Sequence, residues 1–401
     1  MNRREFLAAG VGALGGPLPA APEKKKVAAI VTEYRYYSHA DVICGRILEG
    51  YTPDNLRVEP RTRIVSMYTH QIAEKDMSRD LAAKHGFKIY PTIAEALTLG
   101  GDKLAVDAVL FVGEHGNYPT NERGQKLYPR HELFQKIVEV YRKSRRSVPT
   151  FSDKHLSYSW QKAHEMYRWS RELKFPFMAG SSIPVTVRVP ELELPMGCPI
   201  EHAVSVGYGE LDAYGFHTLE TLQCMVERRQ GGEKGIAAVE WLEGDAVWKW
   251  RDGEGRWSAP LLEAALATNP NVKPGPMEQN CKRPAVFLLE YRDGLRTATY
   301  MLNGHQSGFL FGAKLKDRPE PVAAHFGLTQ KGRPLPHFDG LVRCIEEMFV
   351  TGRPVYPVER TLLTTGALAL LFESRAQKKR LATPELKVAY RAPRNTYFQR
   401  A

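Results

Sequence analysis

From Val27 onward the chain alternates short apolar runs with amphipathic stretches, the pattern of strand–helix–strand units that build a parallel sheet. The apolar runs predict strands at Val27 to Val31, Arg63 to Met67, Ala108 to Val112, Val148 to Phe151 and Phe175 to Ala179. Helices are predicted between them, at Ser38 to Leu48, Ser78 to His85, His131 to Lys143 and Trp160 to Lys174. Thr92, with Glu95 three residues on, forms a capping box that opens a further helix. In the helix from Trp160, Ala163, Met166, Tyr167 and Leu173 recur at helical spacing and read as core.

After Pro184 the texture becomes β-rich. Strands are predicted at Thr186 to Leu194, His202 to Tyr208, Ile236 to Leu242, Ala246 to Arg251, Pro284 to Tyr291, Thr297 to Leu302 and Val322 to Leu328. Asp252-Gly253-Glu254-Gly255 and Arg292-Asp293-Gly294 read as hairpin turns. One helix, Tyr214 to Arg229, interrupts the strands and is ended by Gly231-Gly232. Helices around His337 to Thr351 and Glu359 to Gln377 close the chain, followed by a tail with Leu386 to Tyr390. Trp241, Trp248, Trp250 and Trp257 are expected to form core pairs on adjacent strands.

Composition narrows the class. The chain has 401 residues, 43% of them hydrophobic, and no apolar run long enough to cross a bilayer, so ordinary cores in about two domains are expected. The net charge is +11, but the basic residues are dispersed among acidic neighbours, and no nucleic-acid partner is expected. The five cysteines, Cys44, Cys198, Cys224, Cys281 and Cys344, lie far apart without a C-x-x-C pair, and read as buried thiols. Arg3-Arg4-Glu5-Phe6-Leu7, the apolar stretch Ala8 to Leu18 and the small pair Ala20-Ala21 follow the order of a twin-arginine signal, from which a periplasmic or extracytoplasmic location is expected. The expected organisation is a signal segment over 1–25, a first domain over 26–182, a sheet domain over 183–335, and closing helices with a tail over 336–401 that pack back on the first domain.

Ligands of open α/β sheets bind beyond the carboxyl ends of the strands, so the residues that follow each strand are the candidates for chemistry. They are strongly polar: Thr32, Glu33, Tyr34, Arg35 and His39 after the first strand, His70 after the second, Glu114 and His115 after the next, Asp153, Lys154 and His155 after Val148 to Phe151, then Ser181 and Ser182. Tyr128-Pro129-Arg130-His131 enters a helix close by. A lysine aimed into such a crevice costs desolvation unless a partner or a ligand offsets it, which marks Lys154.

Several stretches resemble the Gfo/Idh/MocA family of sugar and inositol oxidoreductases, and the likeness covers nearly all of the chain after its signal segment. Ala82-Ala83-Lys84-His85-Gly86-Phe87-Lys88-Ile89-Tyr90-Pro91-Thr92 is similar to the family's A-x-x-x-G-x-x-x-Y-x-D, and Val106 to Val112 to its fourth strand. Val148 to Leu156 stands where the family has a strand ending in Glu-Lys-Pro, Phe177 to Ser181 resembles the next strand tip, and Gly215-Phe216-His217-Thr218-Leu219-Glu220 resembles G-x-H-x-x-D. Val355 to Ser374 looks like the closing helix. The resemblance implies an α/β protein with an N-terminal Rossmann-type parallel-sheet domain and a C-terminal α+β domain with an open, largely antiparallel sheet. It implies NAD or NADP as cofactor, a sugar-like or polyol ligand, and association into a homo-oligomer through the open face of the second sheet. Lys154 and His217 would be the proton-handling pair, with Asp212 or Glu220 as the acidic member. Thr32, Glu33, Tyr34, Arg35, His39, His70, Glu114, His115 and Asp153 would line the cofactor side.

The sequence departs from the family at the cofactor. Where pyrophosphate binding wants Gly-x-Gly-x-x-Gly, the chain has Thr32-Glu33-Tyr34-Arg35-Tyr36-Tyr37, and where an acidic residue usually meets the ribose it has Tyr68-Thr69-His70. The family's aspartate falls on Ala213, one position after Asp212. Two other functions therefore stand beside the oxidoreductase: a sugar-binding protein that has lost the dinucleotide, and a lyase or hydrolase with a divalent metal on Glu114, His115, Asp153 and His155. No H-x-H or H-E-x-x-H spacing supports the metal. His217 has an alternative as a helix cap, and Gly116 with Asn117 as a turn.

Overall fold

The computed structural model describes residues 23–328 and 335–400. The twin-arginine pattern and Ala20-Ala21 lie outside the described residues. Six strands form the first sheet: β1 (Lys25–Val31), β2 (Thr62–Thr69), β3 (Lys88–Ile89), β4 (Ala108–Val112), β5 (Thr150–Asp153) and β6 (Phe177–Gly180). They run parallel in the order β3-β2-β1-β4-β5-β6, with Val27 opposite Ala108 and Val31 opposite Val112. β1 and β4 are wholly apolar in their cores because both faces are covered. On one face Val27, Val31 and Leu110 pack with Ile43 of α1 (His39–Glu49) and with Leu341 and Ile345 of α10 (Phe338–Thr351). On the other, Ile30 and Val109 pack with residues of α3 (Ile93–Thr98), α4 (Arg130–Ser144) and α5 (Trp160–Glu172). The short α2 (Ser78–His85) leads into β3, which the sequence pattern does not single out.

The second sheet is mixed and largely antiparallel. Its strands are β7 (Val187–Val189), β8 (Ile200–Gly207), β9 (Ile236–Glu243), β10 (Ala285–Tyr291), β11 (Arg296–Met301), β12 (Phe309–Leu315), β13 (Val322–Gly327) and β14 (Leu381–Ala382), in the order β14-β9-β10-β11-β8-β12-β13-β7. β8 and β11 are the parallel pair. Arg292-Asp293-Gly294 is the turn between β10 and β11, as expected. α6 (Ala213–Val226) and α11 (Val358–Gln377) cover one face. α11 also touches α5 and β6, and β14 in the tail pairs with β9, so the closing segment ties the two sheets together.

Several expectations fail in this sheet. Ala246 to Arg251 lies in a helix, α7 (Asp245–Asp252), rather than a strand. Its valine and tryptophans favour a strand, but Asp245 in the first turn and Lys249 and Arg251 in the last complement the helix dipole, and Val247 supplies the buried contact. Trp248 and Trp250 therefore sit on a helix, and Asp252 to Gly255 leads into a 3-10 turn instead of a hairpin. β12 is absent from the expected strands, because Gly312 interrupts its apolar run; a Cβ there would lie 2.5 Å from the Leu261 carbonyl of α8 (Ala259–Ala267), so glycine admits that helix against the sheet. α7, α8 and the short α9 (Met277–Asn280) lie toward the other face of the second sheet, where Val247, Leu261 and Leu262 pack on Val204, Val286 and Tyr300. The face through which association is expected thus carries the chain's own helices. All five cysteines are buried and free. No helix of the described residues is long and apolar enough to cross a membrane.

Candidate active-site crevice

Between the carboxyl ends of the first sheet and the near edge of the second lies a crevice of about 1720 Å³. Its floor is set by backbone turns that aim side chains. His115 after β4 and Lys154 after β5 both adopt left-handed backbone, at φ 70° and 67°, and Gly180 at the end of β6 has φ 124°. A non-glycine residue in that region carries about 1–3 kcal/mol of strain, and the surrounding structure holds two at neighbouring strand tips. Lys154 is tied down by its N–H, which donates to the Gly180 carbonyl. A Cβ on Gly180 would come within 2.6 Å of Thr361 and 2.8 Å of Glu220.

Lys154 Nζ donates to His217 Nε2 at 2.6 Å and lies 3.7 Å from Glu114 Oε1. With Nε2 accepting, the ring proton of His217 sits on Nδ1 and faces Ser181 Oγ at 2.6 Å, while that oxygen accepts from the Ile183 N–H. Burial, and then the charge of Lys154, keep His217 neutral by holding its pKa well below the ordinary value. The pair is therefore a cationic donor beside a neutral imidazole, both buried and both facing the crevice.

A second network backs the first. Arg130, the first residue of α4, is fully buried; it donates to the Gly113 carbonyl at 2.8 Å, to His155 Nε2 at 2.9 Å and to the Glu114 carboxylate. Burial opposes ionisation of Glu114, but Lys154 and Arg130 outweigh it and hold the carboxyl far below its usual range. Because His155 Nε2 accepts from Arg130, its Nδ1 carries the proton and has no partner. Asp212 accepts the Lys126 N–H through Oδ2 at 2.8 Å, while its Oδ1 has no hydrogen-bond partner and lies 3.9 Å from His155 Nε2. Burial pushes the Asp212 carboxyl up to about 6.

That shift has a sign. The folded chain holds the Asp212 proton more tightly than an unfolded one would, so this group favours folding in acid, and its contribution falls as the pH rises from 3.8 through about 6. Asp212→Asn is expected to melt higher than the parent at about pH 8 and to lose that advantage at about pH 4. An unchanged difference across that range in thermal melts would show that the carboxyl is not held protonated by burial.

The structure gathers Lys154, His217, Glu114, His115, His39 and Asp212 around the crevice. Asp153 lies just beneath, accepting from His39 Nδ1 at 2.6 Å. Glu220 is placed differently: it is buried behind Ser181, accepting from Thr364 at 2.7 Å and Thr361 at 3.3 Å, so it orders the β6 tip rather than facing a ligand. Thr32 donates to the Glu114 carbonyl at 2.7 Å, and Tyr34 is wholly buried under α1. His70 pairs with Tyr118 at 2.7 Å. The four side chains considered for a metal do not converge: Glu114 and His155 are held by Arg130, Asp153 by His39, and His115 faces Arg35. Among the described residues no three His, Cys, Asp or Glu side chains form a metal-binding group. Ser181, Ser182 and Arg130 stand at places the sequence marks as polar, but their partnerships are not legible there. His337 is a site residue the sequence does not reveal; it opens α10, lines the crevice, and has an unpartnered Nδ1.

The backbone of the turn after β1 is engaged by the chain's own side chains. Ser38 Oγ accepts the N–H groups of Arg35 and Asp41, and the Asp41 carboxylate accepts that of Tyr37, so donors that would cradle a pyrophosphate are used by the chain itself. Arg35 pairs with Glu33 at 2.6 Å and reaches His115 Nδ1 at 3.4 Å. The loop from β4 to α4 then crosses the tips of β1 and β2, where Gln71 and Asn117 exchange hydrogen bonds of 3.0 and 2.8 Å and His70 meets Tyr118.

No family model matches the chain, and no curated protein matches it. Its fold is that of several dehydrogenases. GenD2 from gentamicin A biosynthesis, solved in complex with NAD, is 13% identical with a TM-score of 0.57, over 90% of this chain and 96% of that one. Scyllo-inositol dehydrogenase from Lactobacillus casei, solved with NAD(H) and scyllo-inositol, is 10% identical with a TM-score of 0.54, over 90% and 99%. A myo-inositol dehydrogenase from Corynebacterium glutamicum ATCC 13032 is 10% identical with a TM-score of 0.52, over 90% and 98%. These likenesses span both sheets and establish the architecture: a Rossmann-type parallel sheet joined to a mixed, largely antiparallel one.

Proposed function

We propose that the chain is a divergent, exported member of the Gfo/Idh/MocA group that acts on a sugar or polyol in the crevice, with Lys154 and His217 handling the proton of a substrate hydroxyl. One observation carries this: a buried lysine and a neutral imidazole meet at 2.6 Å on the floor of the crevice. A hydroxyl entering between them takes the hydrogen bond of Nζ and gives its proton to Nε2, while the ammonium stabilises the oxyanion that forms. His155 and Asp212 also line the crevice, and His155 Nδ1, a donor, and Asp212 Oδ1, an acceptor, have no protein partner. Leaving such a group unpaired costs about 1–3 kcal/mol, and a sugar hydroxyl, which both donates and accepts, answers both.

The dehydrogenase neighbours support oxidoreduction as the reaction class, with NAD or NADP as the implied hydride acceptor. The turn after β1 does not fit that cofactor in its usual pose, so the chemistry assigned to this chain's own residues is the proton transfer. The same misfit favours a second function, in which the chain binds or transforms a saccharide without a dinucleotide. Export through Arg3 to Leu7 belongs to the proposal, and fusing residues 1–25 to a reporter that is exported only in cells with a working twin-arginine route tests it.

The primary test is calorimetric titration of the full-length chain with a panel of inositols and sugars. Turnover is followed by reduced-nicotinamide absorbance with each dinucleotide, and by product mass spectrometry without one. At least one ligand is expected to bind at one per chain. A chain that binds none of the panel contradicts the proposal.

A further inference from the structure

The crevice has polar atoms at two ends, and the proposed proton transfer uses only one of them. Toward Asp212 and His155 lies the end already described. At the other end, Ser182 Oγ and His337 Nδ1 are both buried, both line the crevice and both lack a hydrogen-bond partner, with residue exposures of 2% and 6%. His115 Nε2 is likewise unpartnered and lines the same space. Phe338 lines this end, its ring 5.0 Å from that of His39 and 4.8 Å from that of His337. Burial, then the charges of Arg46 and His39, push His337 down to about 3, so it is a neutral ring. A neutral imidazole and a hydroxyl each offer one donor and one acceptor, and an aromatic wall beside them suits the apolar face of a sugar ring. His217 and Lys154 adjoin both ends: Lys154 lies 3.7 Å from Glu114, which Arg130 joins to His155 on one side, and His217 meets Ser181, the chain neighbour of Ser182, on the other.

This end adjoins the turn after β1 through the Arg35–His115 contact, and the Gln71–Asn117 and His70–Tyr118 pairs tie the loop after β4 to the residues that follow β2. We propose that the His115, Ser182 and His337 end of the crevice is a second ring subsite, so that the chain takes a two-ring saccharide with one ring against Lys154 and His217 and the other against His115, Ser182 and His337. The proposal rests on the second function given above, in which the chain takes a saccharide without a dinucleotide. The volume of about 1720 Å³ is ample for two rings.

The test is calorimetric titration of the full-length chain with one-ring probes (glucose, galactose, myo-inositol), two-ring probes (trehalose, maltose, cellobiose, lactose) and NADH. The expected result is a two-ring sugar that binds about tenfold or more tighter than its own one-ring unit, and no saturable binding of NADH. Ser182→Ala and His337→Ala, each checked for an unchanged melting profile, are expected to remove that advantage; should His337→Ala unfold, Ser182→Ala alone decides. Equal affinity for one-ring and two-ring sugars overturns the second subsite and leaves the saccharide function standing. Saturable NADH binding that His337→Ala weakens also overturns it, by placing the nicotinamide there. Failure of every sugar to bind overturns both.

Discussion

Lys154→Ala is expected to lower turnover of the crevice substrate by about 100- to 10,000-fold while the chain remains folded, the range that a positioned proton-handling group supplies. The loss should fall on kcat more than on KM, because the ammonium matters most once the substrate oxygen has become an oxyanion. The fold survives because Glu114, which Lys154 approaches at 3.7 Å, keeps its closer ion pair with Arg130. His217→Ala should act on the same step, and the double variant should be little worse than either single one, since the two form one device. Steady-state kinetics on the three variants checks this. A Lys154→Ala enzyme that keeps the parental rate removes the residue from the chemistry.

Arg130→Ala is expected to destabilise the chain by about 3–5 kcal/mol, the cost of removing one partner from a buried ion pair. Arg130 joins the Gly113 carbonyl, Glu114 and His155, so its loss leaves a buried carboxylate and an imidazole without their donor. The sign with pH follows from Glu114. Its pKa in the folded chain lies far below the ordinary value, so the stability it contributes is present above the ordinary carboxylate range and is lost in strong acid. Thermal melts of parent and variant should therefore differ most near neutral pH and converge as the pH falls toward about 2. Arg130→Lys should recover only part of the loss, because an ammonium cannot span all three acceptors in the guanidinium's planar geometry. A variant as stable as the parent would show that the network does not support the fold.

The parallel sheet is legible in the sequence because Val27–Val31 and Ala108–Val112 are uninterrupted apolar runs, a pattern that strands buried on both faces require. The second sheet is less so. β12 hides behind Gly312, whose purpose is the approach of α8, and α7 carries strand-forming residues that its dipole and its contact with the sheet turn into a helix. At the site, Lys154 and His217 stand out by their places after β5 and at the start of α6, although nothing in their spacing shows that they touch. Arg130 reads as an ordinary basic residue entering a helix, and His337 comes from a distant stretch; tertiary packing alone brings them to the crevice. Glu220 looks like an acid beside the histidine, but three residues further along α6 the side chain points toward Thr361 and Thr364 of α11. The residues that stand in place of the missing glycines after β1 are engaged with Ser38, Asp41 and His115, contacts that the sequence does not show.

The most direct measurement is a crystal structure of the full-length chain grown with an excess of both NAD and the saccharide that titration selects. The expected result is a sugar hydroxyl within hydrogen-bonding distance of both Lys154 Nζ and His217 Nε2, with no dinucleotide on the N-terminus of α1. A sugar bound away from that pair, or a dinucleotide seated across the turn after β1 with the Arg35–His115 contact opened, would contradict it.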